Sequence, residues 1–249
     1  MVYPNFKNKH LERALFSPDF YVKFRKFLKG HKKPKKYILI YSSSLLRYFL
    51  RKYKPKKIKL YSLITIYLYK DIGLIYNKGI GAPNATTILE ELIALGGKEF
   101  LSIGTAGGLK DFGVFLCKKA LRDEGTSYHY IREGKYTYPD KDLTKRLQEK
   151  IKQRGLETEE CITWTIDAPY RETIAEIKHY KKEGIKTVEM EASALFAVAK
   201  VRNVKIASAF IVSDLLMEDK WDPQFNEKHV KEKMNLILDA SIECLDNFK

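Results

Sequence analysis

The apolar positions of this chain follow two periods. Short runs in which nearly every position is apolar suit strands covered on both faces. They stand at Tyr37-Ile38-Leu39-Ile40-Tyr41, Val114–Lys118, Cys161–Thr165 and Lys205–Val212. Further strands are expected at Ile58–Tyr69, Gly73–Tyr76 and Phe100–Ile103. Between them apolar residues recur at helical spacing, predicting helices over Ala85–Leu95, Lys141–Arg154, Arg171–Glu183, Ala192–Val201 and Glu227–Phe248. Another helix carries Leu45, Leu46, Phe49 and Leu50 after the turn Ser42-Ser43-Ser44. Asn84 reads as the cap of the helix at Ala85, which Gly96-Gly97 closes. Near the N-terminus, Ser17-Pro18-Asp19 followed by Phe20, Phe24, Phe27 and Leu28 reads as a capped amphipathic helix ending at Gly30. Strands and helices alternate, so the expected fold class is α/β, with a mixed sheet and functional loops at strand ends.

Composition adds a core and a charge asymmetry. Of 249 residues 45% are hydrophobic and 31% charged, enough apolar material for a buried core and unlike a disordered chain. The formal charge is +15, yet residues 1–60 hold 18 basic and 2 acidic side chains, and the rest of the chain is near neutral. The expected division is a basic helical arm over 1–36 and an α/β domain over 37–249. Two basic clusters, Lys32–Lys36 and Arg51–Lys57, form either a solvated, oligomer-facing rim or a nucleic-acid patch. Aromatic residues here fall at helical and strand spacing rather than as a stacking platform, which favours the rim. The phenylalanine stripe of the arm needs an apolar partner surface. Cys117, Cys161 and Cys244 form no C-x-x-C pair, so neither a disulfide framework nor a metal site is indicated. With no apolar signal-peptide core and no uncharged run of about 18 apolar residues, a cytoplasmic, membrane-free protein is expected.

Three places could carry chemistry. Gly104-Thr105-Ala106-Gly107-Gly108 follows a strand directly, and its glycines let backbone N–H groups approach an anion or polar ligand, or simply serve a tight strand exit. In Val188-Glu189-Met190-Glu191, two carboxylates at i and i+2 share a face in extended backbone. One could accept hydrogen bonds from neighbouring sugar hydroxyls, or both could be ordinary acids at a helix N-terminus. Ser213-Asp214 ends an apolar run, where an acid can serve as a proton donor or cap a turn.

Taken together and in this order, these segments resemble the nucleoside phosphorylase family, which includes purine nucleoside phosphorylases, uridine phosphorylases and related nucleosidases. The resemblance runs from Tyr37 to the C-terminus. Besides the three segments it rests on Gly79-Ile80-Gly81-Ala82-Pro83-Asn84 and the helix Thr87–Leu92. It implies a single-domain three-layer sandwich with a mixed central β-sheet flanked by helices, and cleavage of a nucleoside N-glycosidic bond. By position Glu191, Met190 and Glu189 would bind ribose, Thr105, Gly104 and Arg47 phosphate, and Ala106, Gly107 and Tyr170 the base. Asp214 would be the acid for the leaving base. No organic cofactor or metal is implied, only inorganic phosphate as co-substrate.

The departures are specific. Family phosphorylases place a phosphate-holding Arg where this chain has Ser102, and of their Gly-Asp-Pro-x-Arg turn only Arg47 is retained in Ser43-Ser44-Leu45-Leu46-Arg47. Arg47, Arg122 or an arm residue could compensate, or water could replace phosphate. The base-facing stretch Asp167–Thr173 keeps Tyr170 without the uracil-reading pair, so purine and uridine nucleosides both stay open. His129, between two tyrosines, reads as a packed or surface residue. The leading expectation is a phosphorylase acting as a dimer or hexamer, with the arm near a subunit interface. The alternatives are a nucleosidase acting on a nucleoside or nucleotide, and a non-catalytic nucleoside or RNA binder.

Overall fold

The computed structural model describes residues 3–6, 8–25, 33–61, 64–132, 134–217, 220–225 and 227–246. Its first half contains α1 (Pro18–Phe24), β1 (Lys36–Ile40), α2 (Ser43–Tyr53), β2 (Lys56–Lys59), β3 (Thr65–Tyr69), β4 (Ile72–Tyr76), α3 (Ala82–Ala94), β5 (Glu99–Gly108) and β6 (Val114–Asp123). There follow β7 (Tyr136–Thr137), α4 (Lys141–Gln153), β8 (Glu159–Ile166), α5 (Ile174–Lys182), β9 (Ile185–Glu189), α6 (Ala192–Arg202), β10 (Lys205–Leu216), β11 (Trp221–Pro223) and α7 (Lys228–Leu245). The alternation read from the sequence is the alternation observed. Among the described residues no helix is long and apolar enough to cross a membrane.

The strand runs are continuously apolar because both faces of the sheet are covered. From β1, Tyr37 and Leu39 enter a core shared with α3 and α6, including Ile88, Leu92, Leu195 and Phe196. Ile38 and Ile40 point the other way, into a core with α2, α4 and α7 that includes Phe49, Leu147 and Ile237. A third, smaller core packs α5 through Ile177 against Trp164, Ile185 and Val188. The result is a mixed sheet flanked by helices.

Pairing gives the sheet a shape that alternation alone does not predict. β5 pairs in parallel with β1 on one side and β10 on the other. β10 pairs with β6, β6 with β8, β8 with β9, and β9 returns to the far end of β5 through Gly107 and Gly108. Five strands thus close into a ring, while β1, β4, β3 and β2 extend from it as an open sheet.

Several boundaries differ from the sequence expectation, each for a local reason. The run Ile58–Tyr69 is two antiparallel strands, β2 and β3, with the Leu60 and Tyr61 N–H groups donating to the Ile64 carbonyl where the chain reverses. α3 starts at Ala82 rather than Ala85, because Gly81 takes φ 93° as its N-cap, a conformation glycine adopts without strain. Asn84 therefore sits inside the first turn and donates to Asn77 Oδ1 at 2.5 Å. α5 begins at Ile174, after a separate helical turn at Pro169–Arg171. The glycine segment lies inside β5 rather than in a loop beyond it.

In the arm, Ser17 caps α1 as expected, its Oγ accepting the Phe20 N–H at 3.2 Å. Val22 joins the core on the α3 side, whereas Phe20 and Phe24 stack on each other and remain exposed. Phe27, Leu28 and Gly30 of that expected helix, Lys32 of the first basic cluster and Phe248 at the end of the last helix lie outside the described residues.

One buried acid joins the helices beneath the sheet. Asp239 on α7 is 1% exposed and accepts from Tyr48 (2.9 Å), Lys52 (2.6 Å) and Tyr53 (2.6 Å) of α2 and from Arg154 after α4 (3.3 Å). Removing it takes a shared acceptor from two hydroxyls and two cations; the Tyr53 hydroxyl loses its partner at 2.6 Å, whereas Arg154 keeps Glu243 and Lys52 keeps Tyr48. Asp239→Ala is expected to lower the unfolding free energy by about 3 kcal/mol, measured as a lower urea midpoint at unchanged m-value.

Candidate active site

A cavity of about 230 Å³ opens at the carboxyl ends of β1, β5 and β10. Its origin is a gap in strand pairing. β1 follows β5 only as far as Ile103, and β9 joins the same edge only at Gly107. Among the described residues no strand pairs with β5 on that side over Gly104-Thr105-Ala106, while β10 pairs with it on the other. Small residues keep the gap open. A Cβ on Gly104 would lie 3.2 Å from the Tyr41 ring, and one on Gly107 would meet Leu216 at 2.4 Å and Val188 at 2.9 Å.

The two glutamates of Val188-Glu189-Met190-Glu191 divide the roles that the sequence left open. Glu189, at the end of β9, accepts from the Glu191 and Ala192 N–H groups at 2.8 and 2.7 Å and from the Thr165 hydroxyl at 2.6 Å. It thereby caps α6, with both oxygens engaged. Glu191 turns into the cavity, and its Oε1 accepts the Gly81 N–H at 2.6 Å. Burial, and then the Glu191 charge, push the Glu189 carboxyl up to about 8 against the pull of its three donors. Burial raises Glu191 as well, opposed by the Gly81 N–H.

Asp214 reaches the cavity through a bulge. In the β5–β10 ladder Val212 pairs with Ala106 and Asp214 with Gly107, so Ser213 is an extra residue that re-aims the acid. Asp214 Oδ1 accepts from the Ser213 hydroxyl at 3.0 Å and Oδ2 from Trp221 Nε1 at 2.8 Å.

Met190, Gly104, Thr105, Ala106 and Gly107 also line this cavity, as the motif reading grouped them. Tyr170 does not; its side chain is fully exposed, and its neighbours Pro169 and Glu172 face the cavity instead. Arg47 is also elsewhere. It lies one helical turn into α2, bonds Ser43, and lines a separate depression with Arg51 and Lys231. Ser102, where the family resemblance puts an arginine, hydrogen-bonds the Tyr41 hydroxyl at 2.9 Å. Arg122 points into its own loop, donating to Ser127 Oγ and the Gly134 carbonyl. His129 bonds Tyr3 and Lys9 under the arm.

Sequence reasoning missed Tyr41, Glu172, Trp221, Phe210 and Phe225. Tyr41, Glu172, Phe210 and Phe225 line the cavity from four different segments, which no local spacing links. Every ionisable acid among the described lining residues is a carboxyl or the Tyr41 phenol, and none of these residues is Lys, Arg or His. No group of three His, Cys, Asp or Glu side chains among the described residues is arranged to hold a metal ion. The site therefore offers fixed hydrogen-bond acceptors and apolar walls, suited to a neutral, hydroxyl-rich ligand that gains positive charge as it reacts.

Comparison with known proteins agrees with this picture. A family model for the Phosphorylase superfamily matches residues 41–243. An uncharacterized protein of Acanthamoeba polyphaga mimivirus is 28% identical over 180 residues, 67% of this chain and 70% of that protein. A purine nucleoside phosphorylase of Plasmodium vivax (strain Salvador I) is 25% identical over 178 residues, 68% of this chain and 72% of its own. In three dimensions the AMP nucleosidase from Bacteroides thetaiotaomicron VPI-5482 superposes with a TM-score of 0.75 at 22% identity, covering 94% of this chain and 100% of that one.

The raised Glu189 carboxyl has a measurable consequence. Because its value in the fold, about 8, stands above the ordinary 4.5, the folded protein holds a proton there that the unfolded chain gives up. Stability from this group is full below the ordinary value and is lost as pH rises through the folded one. Relative to Glu189→Gln, the wild type should lose unfolding free energy between pH 4.5 and 8, by at most about 1.4 kcal/mol per pH unit for this one proton. Denaturant titrations of both proteins across that range measure it.

Proposed function

This chain belongs to the Phosphorylase superfamily, and on that premise we propose that it hydrolyses the N-glycosidic bond of a purine nucleoside, with water in the place of phosphate. One observation carries the choice of nucleophile. The cavity is lined by four carboxyl groups, Glu172, Glu189, Glu191 and Asp214, and by no cation among its described lining residues, and Ser102 is turned to Tyr41. A phosphate dianion in such a place would lose its hydration and gain no counter-charge. Water has no such cost.

The residues fit the reaction from one end of the cavity to the other. Glu191, fixed by the Gly81 N–H, keeps lone pairs for two ribose hydroxyls. Met190 offers a polarisable thioether to the sugar face, and Phe210, Phe225 and Ile80 supply apolar walls. As the bond lengthens, the ribosyl group becomes cationic, and fixed carboxyl dipoles in a poorly hydrated site stabilise that charge. Asp214 and Glu172 also line the cavity, and on this reading a lining carboxyl would give the departing base its proton.

Phosphorolysis is the second reading. It is favoured by the Plasmodium vivax relative and by the unpaired edge at Gly104-Thr105-Ala106, where backbone N–H groups and the Thr105 hydroxyl could meet an anion. Base release from a panel of purine and pyrimidine nucleosides and nucleotides, with and without phosphate, separates the two. Release without phosphate, giving free ribose, is the expected result; strict phosphate dependence with ribose 1-phosphate as product would establish the second reading.

Glu191→Gln replaces a carboxylate by an amide that cannot accept from both hydroxyls in the same way. A charge-assisted contact that tightens in the transition state is worth roughly 2–4 kcal/mol, or about two to three decades in kcat. That loss, with an unchanged circular dichroism spectrum, is expected of the variant; full activity would remove Glu191 from the site.

A further inference from the structure

The loop between β4 and α3, residues 77–81, is held at three points. At its base the Asn77 N–H donates to the Ile40 carbonyl at 2.8 Å, which keeps Asn77 at the end of β1 with its side chain buried. At its middle Asn84, in the first turn of α3, donates to Asn77 Oδ1 at 2.5 Å. Gly79 passes against that amide: a Cβ on it would stand 2.6 Å from Asn84 Nδ2 and 3.2 Å from Asn84 Cγ, so any other residue there would push the two apart. At its far end Gly81, with φ 93°, sends its N–H to Glu191 Oε1 at 2.6 Å.

Without Asn84 this loop would have little to fix it. Lys78, Gly79 and Ile80 are exposed, and among the described residues they make no hydrogen bond of their own. Two of the five loop residues are glycine, the residue with the widest choice of backbone conformation. The clamp also has a cost. Asn77 Nδ2 is buried with no hydrogen-bond partner among the described residues, because Oδ1 is the atom that faces Asn84. Two apolar side chains would fill the same space without stranding a donor, so the pair of amides calls for a reason beyond packing.

Resting on the nucleoside-cleavage reading above, we propose that Asn84 is a positioning residue for ribose recognition: by clamping the 77–81 loop to Asn77 it aims the Gly81 N–H at Glu191, which then presents its remaining lone pairs to the two ribose hydroxyls. Asn84 is not among the residues that line the cavity and acts only through Gly81 and Glu191. With its amide gone the loop gains freedom and the Gly81 N–H leaves Glu191 part of the time. The carboxyl then samples orientations that meet one hydroxyl or none. That loss of order weighs most on the transition state, where the contacts are tightest, and least on binding of the base.

Two measurements on the full chain test this. The first is amide hydrogen exchange, which needs no activity. The Gly81 N–H should exchange about tenfold faster in Asn84→Ala than in the wild type, with the amides of β5 unchanged. Asn84→Asp should keep Gly81 within about threefold of the wild type, because the Asn77 amide can turn over and give its stranded Nδ2 to the new carboxylate. The second is kinetics on the most active ribonucleoside of the panel and on its 2′,3′-dideoxy analogue. On the ribonucleoside Asn84→Ala should lose about tenfold in kcat, the worth of one hydrogen bond, with KM changed by less than about threefold. On the dideoxy analogue, and when added to Glu191→Gln, it should cost less than about threefold, since the group it positions then has nothing to meet. Unchanged Gly81 exchange in Asn84→Ala, an Asn84→Asp variant as impaired as Asn84→Ala, or equal losses on both substrates would overturn the assignment. A wild type that releases base from no nucleoside would bring down the functional reading and the ribose role with it, whereas unchanged Gly81 exchange sinks the clamp alone, which keeps the two failures apart.

Discussion

Over Gly104-Thr105-Ala106, β5 is held by β10 on one edge and by no described strand on the other, and the cavity depends on that asymmetry. A strand hydrogen-bonded on both sides has its backbone groups spent and its neighbours closed around it. Here β1 stops at Ile40 and turns into α2, while β9 reaches β5 only at Gly107. The space between is the cavity. β10 backs it, because its pairing continues past the gap on the opposite edge and carries Asp214 to the same place. Closing five strands into a ring is therefore less a feature of shape than the means by which β9 and β10 arrive at β5 from opposite sides.

The same geometry sorts the buried acids by what surrounds them. Glu189 and Asp239 each take several donors, and each joins elements, α6 to β9 in one case and α2 to α7 in the other. A buried carboxyl group is tolerated when its oxygens are satisfied in this way. Glu191 and Glu172 are only partly satisfied or unsatisfied by the described residues, and both face the cavity. Incomplete satisfaction is what leaves capacity for a ligand. The absence of a cation among the described lining residues means that the site's own field favours a group that becomes positive over one that arrives negative.

None of the described Lys or Arg residues lines this cavity. Arg47, Arg51 and Lys231 gather in a depression between α2 and α7, and Lys52 and Arg154 serve Asp239. The charge asymmetry that dominates the composition thus does not describe the cavity. On the arm, α1 anchors through Val22 while Phe20 and Phe24 stay outside.

Sequence by itself determined the order and kind of most elements, because a sheet buried on both faces writes continuous apolar runs and its covering helices write a helical period. It also pointed to the segments from which Glu191, Met190, Thr105, Ala106, Gly107 and Asp214 enter one cavity, since each sits in a recognisable local pattern. Only the tertiary structure decided which of the two glutamates has its oxygens taken by the N-terminus of α6, Glu189, and which keeps an oxygen free in the cavity, Glu191. It alone revealed the Ser213 bulge, the ring closure through β9, and the arrival of Tyr41, Glu172 and Phe225 from distant segments. It also set Arg47 and Tyr170 outside the cavity, although both match the pattern in sequence. The physical reason is the same in each case. Local patterns record what a residue needs from its immediate neighbours along the chain, whereas strand pairing and packing decide which residues distant in sequence are brought within reach of one ligand.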